Sequence, residues 1–211
     1  MIHALQPAAL IGNNHHRQPF PGEDFQMFEK DLPGQNKSGL SFQKPSEQLP
    51  LETCETMNNS WGFNIKDDNY KSVPKLIHYI VNAAGRNANF LLNVGPQPNG
   101  IIQQEFQDTL KEVGKWMDKY GESIYGTRGN IMPAQDWGVV TSKDKEIFVH
   151  ILKDSAMKTL VITGIDGKVK DCGLMGTGKK IKCHQNKDGV TIDLDDVSLN
   201  GIDTIIEIET K

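Results

Sequence analysis

The chain of 211 residues carries 23 Lys plus Arg against 27 Asp plus Glu, a formal net charge of -4 at pH 7, with 37% hydrophobic and 24% charged residues. This is the composition of a soluble globular protein with apolar material for one large core or two small ones. Mild acidity argues against a nucleic-acid binder, which needs a basic face; no apolar run nears the roughly 20 residues that cross a bilayer; and residues 1–10 lack the charged and apolar regions of a signal peptide.

In chain order, residues 1–6 read as a helix end cut by Pro7, so the chain is expected to enter in the middle of a structural unit. Residues 8–12 form a short apolar run suited to a buried strand, and residues 49–57 a second, poorer one. Val73, Leu76, Ile77, Ile80, Val81 and Ala84 recur at helical spacing, with Ser72 as N-cap and Gly85 as stop. Residues 90–94 are a third strand, closed by Gly95-Pro96. Phe106, Leu110, Val113, Met117 and Tyr120 mark an amphipathic helix ending at Gly121. Apolar strands separated by helices imply parallel βαβ units. About three strands make a thin sheet, so this region is expected to be part of something larger.

After about Gly129 the texture changes. Val139-Val140 and residues 147–152, 160–163, 190–194 and 204–208 are strand-like, with Ser142-Lys143-Asp144, Asp166-Gly167, Lys187-Asp188-Gly189 and Asn200-Gly201 as turns between them. Short strands with polar turns predict an antiparallel sandwich. Cys54, Cys172 and Cys183 show neither CxxC nor zinc-finger spacing. Cys172 and Cys183 could pair in an oxidising compartment, or both could be partly buried thiols.

Function in parallel β/α proteins collects at the carboxyl ends of the strands. The polar residues there are Asn13 to Arg17, Gly22 to Asp31, Glu52 to Thr56, Asn58 to Gly62, and Asn93 with the turn that follows. Carboxylates, imidazoles, amides and a Trp suit a carbohydrate: amides and His bond hydroxyls, Trp packs on an apolar sugar face, and two carboxylates do acid/base work. Each part also has an ordinary role, as solvated loop for the acids and histidines or as core for Trp61. His15 and His16 are adjacent, not spaced i, i+4 as a helical metal pair would be.

At this point the residues resemble a known family. Glu52-Thr53-Cys54-Glu55-Thr56-Met57-Asn58-Asn59-Ser60-Trp61-Gly62-Phe63 resembles the W-E-[TS]-C-x-[ST]-[IL]-N-x-S-W-G-Y segment of the α-L-fucosidases, glycoside hydrolase family 29. Residues 82–100, NAAGRNANFLLNVGPQPNG, and Gly114-Lys115-Trp116 with Tyr120-Gly121-Glu122-Ser123-Ile124-Tyr125 resemble two further motifs of that family, in order. The resemblance implies an α/β chain: the C-terminal part of a (β/α)8-like barrel over residues 1–128, then an antiparallel β-sandwich over 129–211. It implies retaining hydrolysis of terminal α-L-fucosyl bonds by two carboxylates. The family's nucleophile, an Asp in a W-[FL]-D-G run, has no counterpart in these residues, so it is expected from outside them.

For the general acid/base, Asp24-Phe25-Gln26-Met27-Phe28-Glu29 lines up with the family's D-F-x-T-x-E, which puts Glu29 in that role, with Glu52 as runner-up and Glu23 third. His15 and His16 stand near the family's sugar-contacting Arg and are expected to bond fucose hydroxyls; Trp61 is expected to pack on the fucose ring and methyl. Residues 89–95 are expected to be structural. No cofactor or metal is implied. The expected partner is a fucosylated glycan, with no nucleic acid or membrane, and the chain is expected to need the N-terminal half of the barrel or to self-associate. A secreted or periplasmic location is implied by the resemblance alone. The alternative is a non-catalytic carbohydrate-binding or interaction module, a truncated remnant.

Overall fold

The computed structural model describes residues 1–14, 21–129, 131–154 and 157–211. Two bodies of secondary structure share one seam. The first is a four-stranded parallel sheet in the order β1 (Gly12–Asn13), β2 (Phe25–Glu29), β3 (Leu51–Thr56) and β4 (Ala88–Asn93), preceded by a short helix α1 (Ile2–Leu5). Helices α2 (Val73–Ala84) and α3 (Gln104–Tyr120) pack on it. Ser72 caps α2 as its side chain accepts from the Lys75 N–H, and Pro74 sits in the first turn, where its missing N–H is harmless.

The second body is an antiparallel sandwich. One sheet runs β5 (Gly138–Lys143), β6 (Glu146–Ile151), β12 (Thr204–Thr210), β8 (Val169–Leu174), β9 (Lys179–Lys180). The other runs β10 (Cys183–Asn186), β11 (Gly189–Asp193), β7 (Thr159–Ile162). Between them lie Val140, Val149, Ile151, Ile162, Val190, Ile192, Ile206 and Ile208. Cys172 and Cys183 are joined in a disulfide that ties β8 to β10.

Strand β6 is buried on both faces. Ile147, Val149 and Ile151 point into the sandwich, while Phe148 points the other way, onto Ile77 and Val81 of α2 and Trp116 of α3. That double burial explains an apolar run in an antiparallel strand, where alternation is the rule. Gly85 is required by this seam: a Cβ there would lie 2.4 Å from Val139 Cβ. The polar part of the seam is a buried chain, with His150 Nδ1 2.7 Å from Asp203 Oδ2, His150 Nε2 3.1 Å from Thr141 Oγ1, and that hydroxyl donating to the Ser123 carbonyl at 2.7 Å.

Several expectations change. The apolar run at residues 8–12 is not a buried strand: Leu10 is 76% exposed, and only Gly12–Asn13 pair with β2. The sheet has four strands rather than three, because Phe25–Glu29, read as rim, is itself a strand. Its polar Gln26 is buried on the helix side, where the side-chain oxygen accepts from the Ser46 N–H at 2.8 Å. Strands β8, β9 and β10 were not expected; they are polar and sit toward the sheet edges. Among the described residues no helix is long and apolar enough to cross a membrane.

Candidate active site

Side chains alternate across a pleated sheet. Register therefore assigns Gln26, Phe28, Leu51, Thr53, Ala88 and Phe90 to the helix-covered face, and Phe25, Met27, Glu29, Glu52, Cys54, Thr56, Asn89, Leu91 and Asn93 to the other. This second face is only partly covered, with Leu91 45% exposed. The carboxyl ends of all four strands form one rim.

Glu29 is the last residue of β2, level with Cys54 on β3. Asn14, just past the end of β1, donates its Nδ2 to Glu29 Oε2 at 2.8 Å. The Cys54 thiol is pushed up to about 11, by burial first and by the negative charge of Glu29 second, so a neutral thiol lies beside this carboxylate. Glu52 shares the open face but sits two residues earlier, about 7 Å further from the rim, opposite Met27 and Asn89. Burial raises its pKa.

The segment after β3 carries Trp61 and is pinned at many points. Thr56 Oγ1 donates to the Ser60 carbonyl at 2.9 Å, and Asn93 Nδ2, at the end of β4, donates to the Trp61 carbonyl at 2.7 Å. Asp67 accepts from Ser60 Oγ at 2.7 Å and from the Asn59 N–H at 3.0 Å, and the Ser60 hydroxyl holds its carboxyl low. Lys71 Nζ donates to the Thr56 and Asn58 carbonyls at 2.8 and 2.5 Å and lies 3.3 Å from Glu55 Oε1. Burial lowers the Lys71 pKa, and Glu55 opposes that shift. Trp61 is thus a partly exposed ring, 36% accessible, on a fixed loop.

Of the predicted site residues, Glu29 and Trp61 share the rim and Glu52 lies below it. His15 and His16 lie outside the described residues. Asn14, Lys30 and Asn93 were among the polar residues the sequence placed at the strand ends, but the hydrogen bonds by which they fix the rim were not foreseen. Among the described residues no cluster of three His, Cys, Asp or Glu side chains could hold a metal ion. A cavity of about 1010 Å³ opens at the opposite, amino ends of β3 and β4, against Leu51, Arg86, Asn89 and Arg128. Glu29 and Trp61 are not among its walls.

Residues 1–122, which include every element of this rim, match the family model described as Alpha-L-fucosidase. The chain belongs to the alpha-L-fucosidase family. The solved structure of alpha-L-fucosidase isoenzyme 1 from Paenibacillus thiaminolyticus superposes with a TM-score of 0.78 at 32% identity, covering 100% of this chain and 52% of that one. Mouse tissue alpha-L-fucosidase is 32% identical over 110 residues, 50% of this chain and 23% of that protein. Rat plasma alpha-L-fucosidase is 25% identical over 169 residues, 74% of this chain and 37% of that protein. This fucosidase-family chain thus spans about half the length of the solved relative and a smaller share of the curated ones.

Proposed function

We propose that these residues supply the acid/base side of a retaining α-L-fucosidase site. In this reading, residues 1–128 are the C-terminal part of a (β/α)8-like catalytic barrel, residues 129–211 are its β-sandwich, and the substrate is a fucosylated glycan. The observation that carries it is Glu29: a carboxylate ending a parallel strand, oriented by Asn14, on the rim that also carries Trp61.

The chemistry follows from those positions. A carboxylate outside these residues attacks the anomeric carbon, and the glycosidic bond breaks as Glu29 gives its proton to the departing oxygen. Glu29 then takes a proton from water, whose oxygen attacks the anomeric carbon from the side the leaving group left and displaces the enzyme carboxylate, so configuration is retained. The two carboxyl groups must sit about 5–5.5 Å apart. Trp61 packs on the apolar edge of fucose, where a methyl replaces a hydroxymethyl. His15 and His16 are assigned hydroxyl contacts through the resemblance. Glu52 is the weaker acid/base choice because it lies deeper along its strand. The open sheet face with Phe25, Met27 and Leu91 is the surface for the remainder of the barrel or, failing that, a second copy. The Cys172–Cys183 disulfide supports a secreted or periplasmic setting.

The test is hydrolysis of α-L-fucosides by the 211-residue chain, alone and with the N-terminal half of a barrel from a relative. Turnover is expected only with the added half. Glu29→Gln is expected to lose about 10²–10⁴-fold with a sugar leaving group and less with nitrophenol, which departs without a proton. Full activity of Glu29→Gln on sugar substrates would sink the assignment. A non-catalytic carbohydrate-binding role is the second reading, in which the exposed Trp61 on its pinned loop binds a fucoside without chemistry. Fucoside binding with no turnover under either condition would select it.

A further inference from the structure

Lys30 directly follows Glu29 and adopts φ 59, the left-handed region that residues with a side chain rarely occupy. Four contacts hold it there. Its N–H donates to the Cys54 carbonyl at 2.8 Å, and its own carbonyl accepts from the Tyr79 hydroxyl at 3.2 Å. Its Nζ donates to the Asn59 carbonyl at 3.1 Å and lies 5.3 Å from the centre of the Trp61 ring. The bend at the end of β2 thereby sets an ammonium against Trp61, one residue from the carboxylate assigned to proton transfer.

The two rim lysines differ. Lys71 is largely covered, its side chain 10% exposed, and spends its donors on two carbonyls and Glu55. Lys30 pairs with no carboxylate among the described residues, and Asn59 takes one of its three N–H donors. Two donors on a fixed, partly exposed ammonium remain for a ligand. A general acid protonates the leaving-group oxygen, so the residue next to it on the strand flanks the leaving group rather than the fucose.

We propose that Lys30 is a specificity-determining residue that receives an anionic oxygen, from a sulfate ester or a carboxylate, on the sugar to which fucose is attached. This rests on the reading of Glu29 and Trp61 as an α-L-fucoside site. The ammonium lies against the Trp61 ring, and the part of Trp61 that stays exposed is left for the sugar, so charge and ring act together on adjoining residues of the ligand.

The experiment is calorimetric titration of the 211-residue chain, together with the N-terminal half of a barrel from a relative, with three disaccharides: α-L-fucosyl-galactose, its sulfate ester, and α-L-fucosyl-galacturonic acid. At low ionic strength the charged ligands are expected to bind about fivefold more tightly than the neutral one, with the gain shrinking as salt is added. Lys30→Gln is expected to remove that gain and leave neutral binding within about twofold, and Lys30→Arg to keep it. A gain with the sulfate alone or the uronate alone supports the proposal and identifies the source of the anion. Equal binding of neutral and charged ligands by the unaltered chain would overturn it, since that comparison needs no variant. So would a loss in Lys30→Gln that is the same for all three ligands, which would make Lys30 a tether for the Trp61 loop. Binding of none of the three with the N-terminal half present would remove the fucoside reading itself, an outcome distinct from both.

Discussion

The parallel sheet and the sandwich solve the covering of apolar faces differently. In the sandwich, one inner face meets another, and helices α2 and α3 cover the outside of β5, β6 and β12, so β6 is buried from Ile147 to Ile151. The parallel sheet has Phe28, Leu51 and Ala88 packed under α2, while Phe25, Met27 and Leu91 on its other face stay partly exposed. The difference separates two jobs. The sandwich and its seam hold shape, whereas the open face carries the carboxylates Glu29 and Glu52 and ends in the rim with Trp61. In the proposed reading the rim of this face is left for the ligand and the rest of it for the remainder of the barrel.

The seam is where the comparison breaks most easily. Phe148→Ala removes a fully buried ring between β6 and the helices and is expected to destabilise the chain by about 3–5 kcal/mol. If the two regions melt as one, calorimetry will show a single transition moved down. If they are independent, the transition will split. The disulfide sharpens the contrast from the sandwich side. Replacing Cys172 and Cys183 by Ser opens a link across 11 residues and is expected to cost about 3 kcal/mol. Hydrogen exchange should rise in β8 and β10 and stay unchanged in β3.

From the sheet side, Cys54 reports pH. Its pKa is pushed from 9.0 to about 11, so the folded state keeps a proton that the unfolded chain sheds. Stability from this group is fully present below pH 9 and is lost as pH rises through about 11, on the order of 2 kcal/mol. Urea midpoints should fall with alkaline pH more steeply in the unaltered chain than in Cys54→Ala; equal slopes would place the thiol in water. The smallest effect is Ser72→Ala at the α2 cap, about 1 kcal/mol by the same denaturation.

The helices and the apolar strands were readable in the sequence because their signals are local. Ser72 and Gly85 bracket α2, and the helical spacing of Phe106, Leu110, Val113, Met117 and Tyr120 marks α3. The three family motifs pointed to the fold and the rim. Strand β2 was missed because its Gln26 is polar yet buried, bonded to the Ser46 N–H from 20 residues away, a partner that no window on the sequence contains. The apolar run at residues 8–12 misled for the opposite reason: apolar composition states a preference for burial, but Leu10 stays mostly exposed. For the site, residue types and order were legible, while depth was not. Glu29 and Glu52 look alike along the chain, and only the register of β2 against β3 puts one at the rim and the other about 7 Å below it.

The sequence by itself determined the helices, the turns, the family and the short set of carboxylates worth considering, since capping, periodicity and motif order act over a few residues. Only the tertiary structure decided which sheet face stays open, that Asn14 orients Glu29, and that Lys30 bends to meet Trp61. These depend on pairings between strands and loops far apart in the chain, whose geometry is settled when the sheet closes and not before.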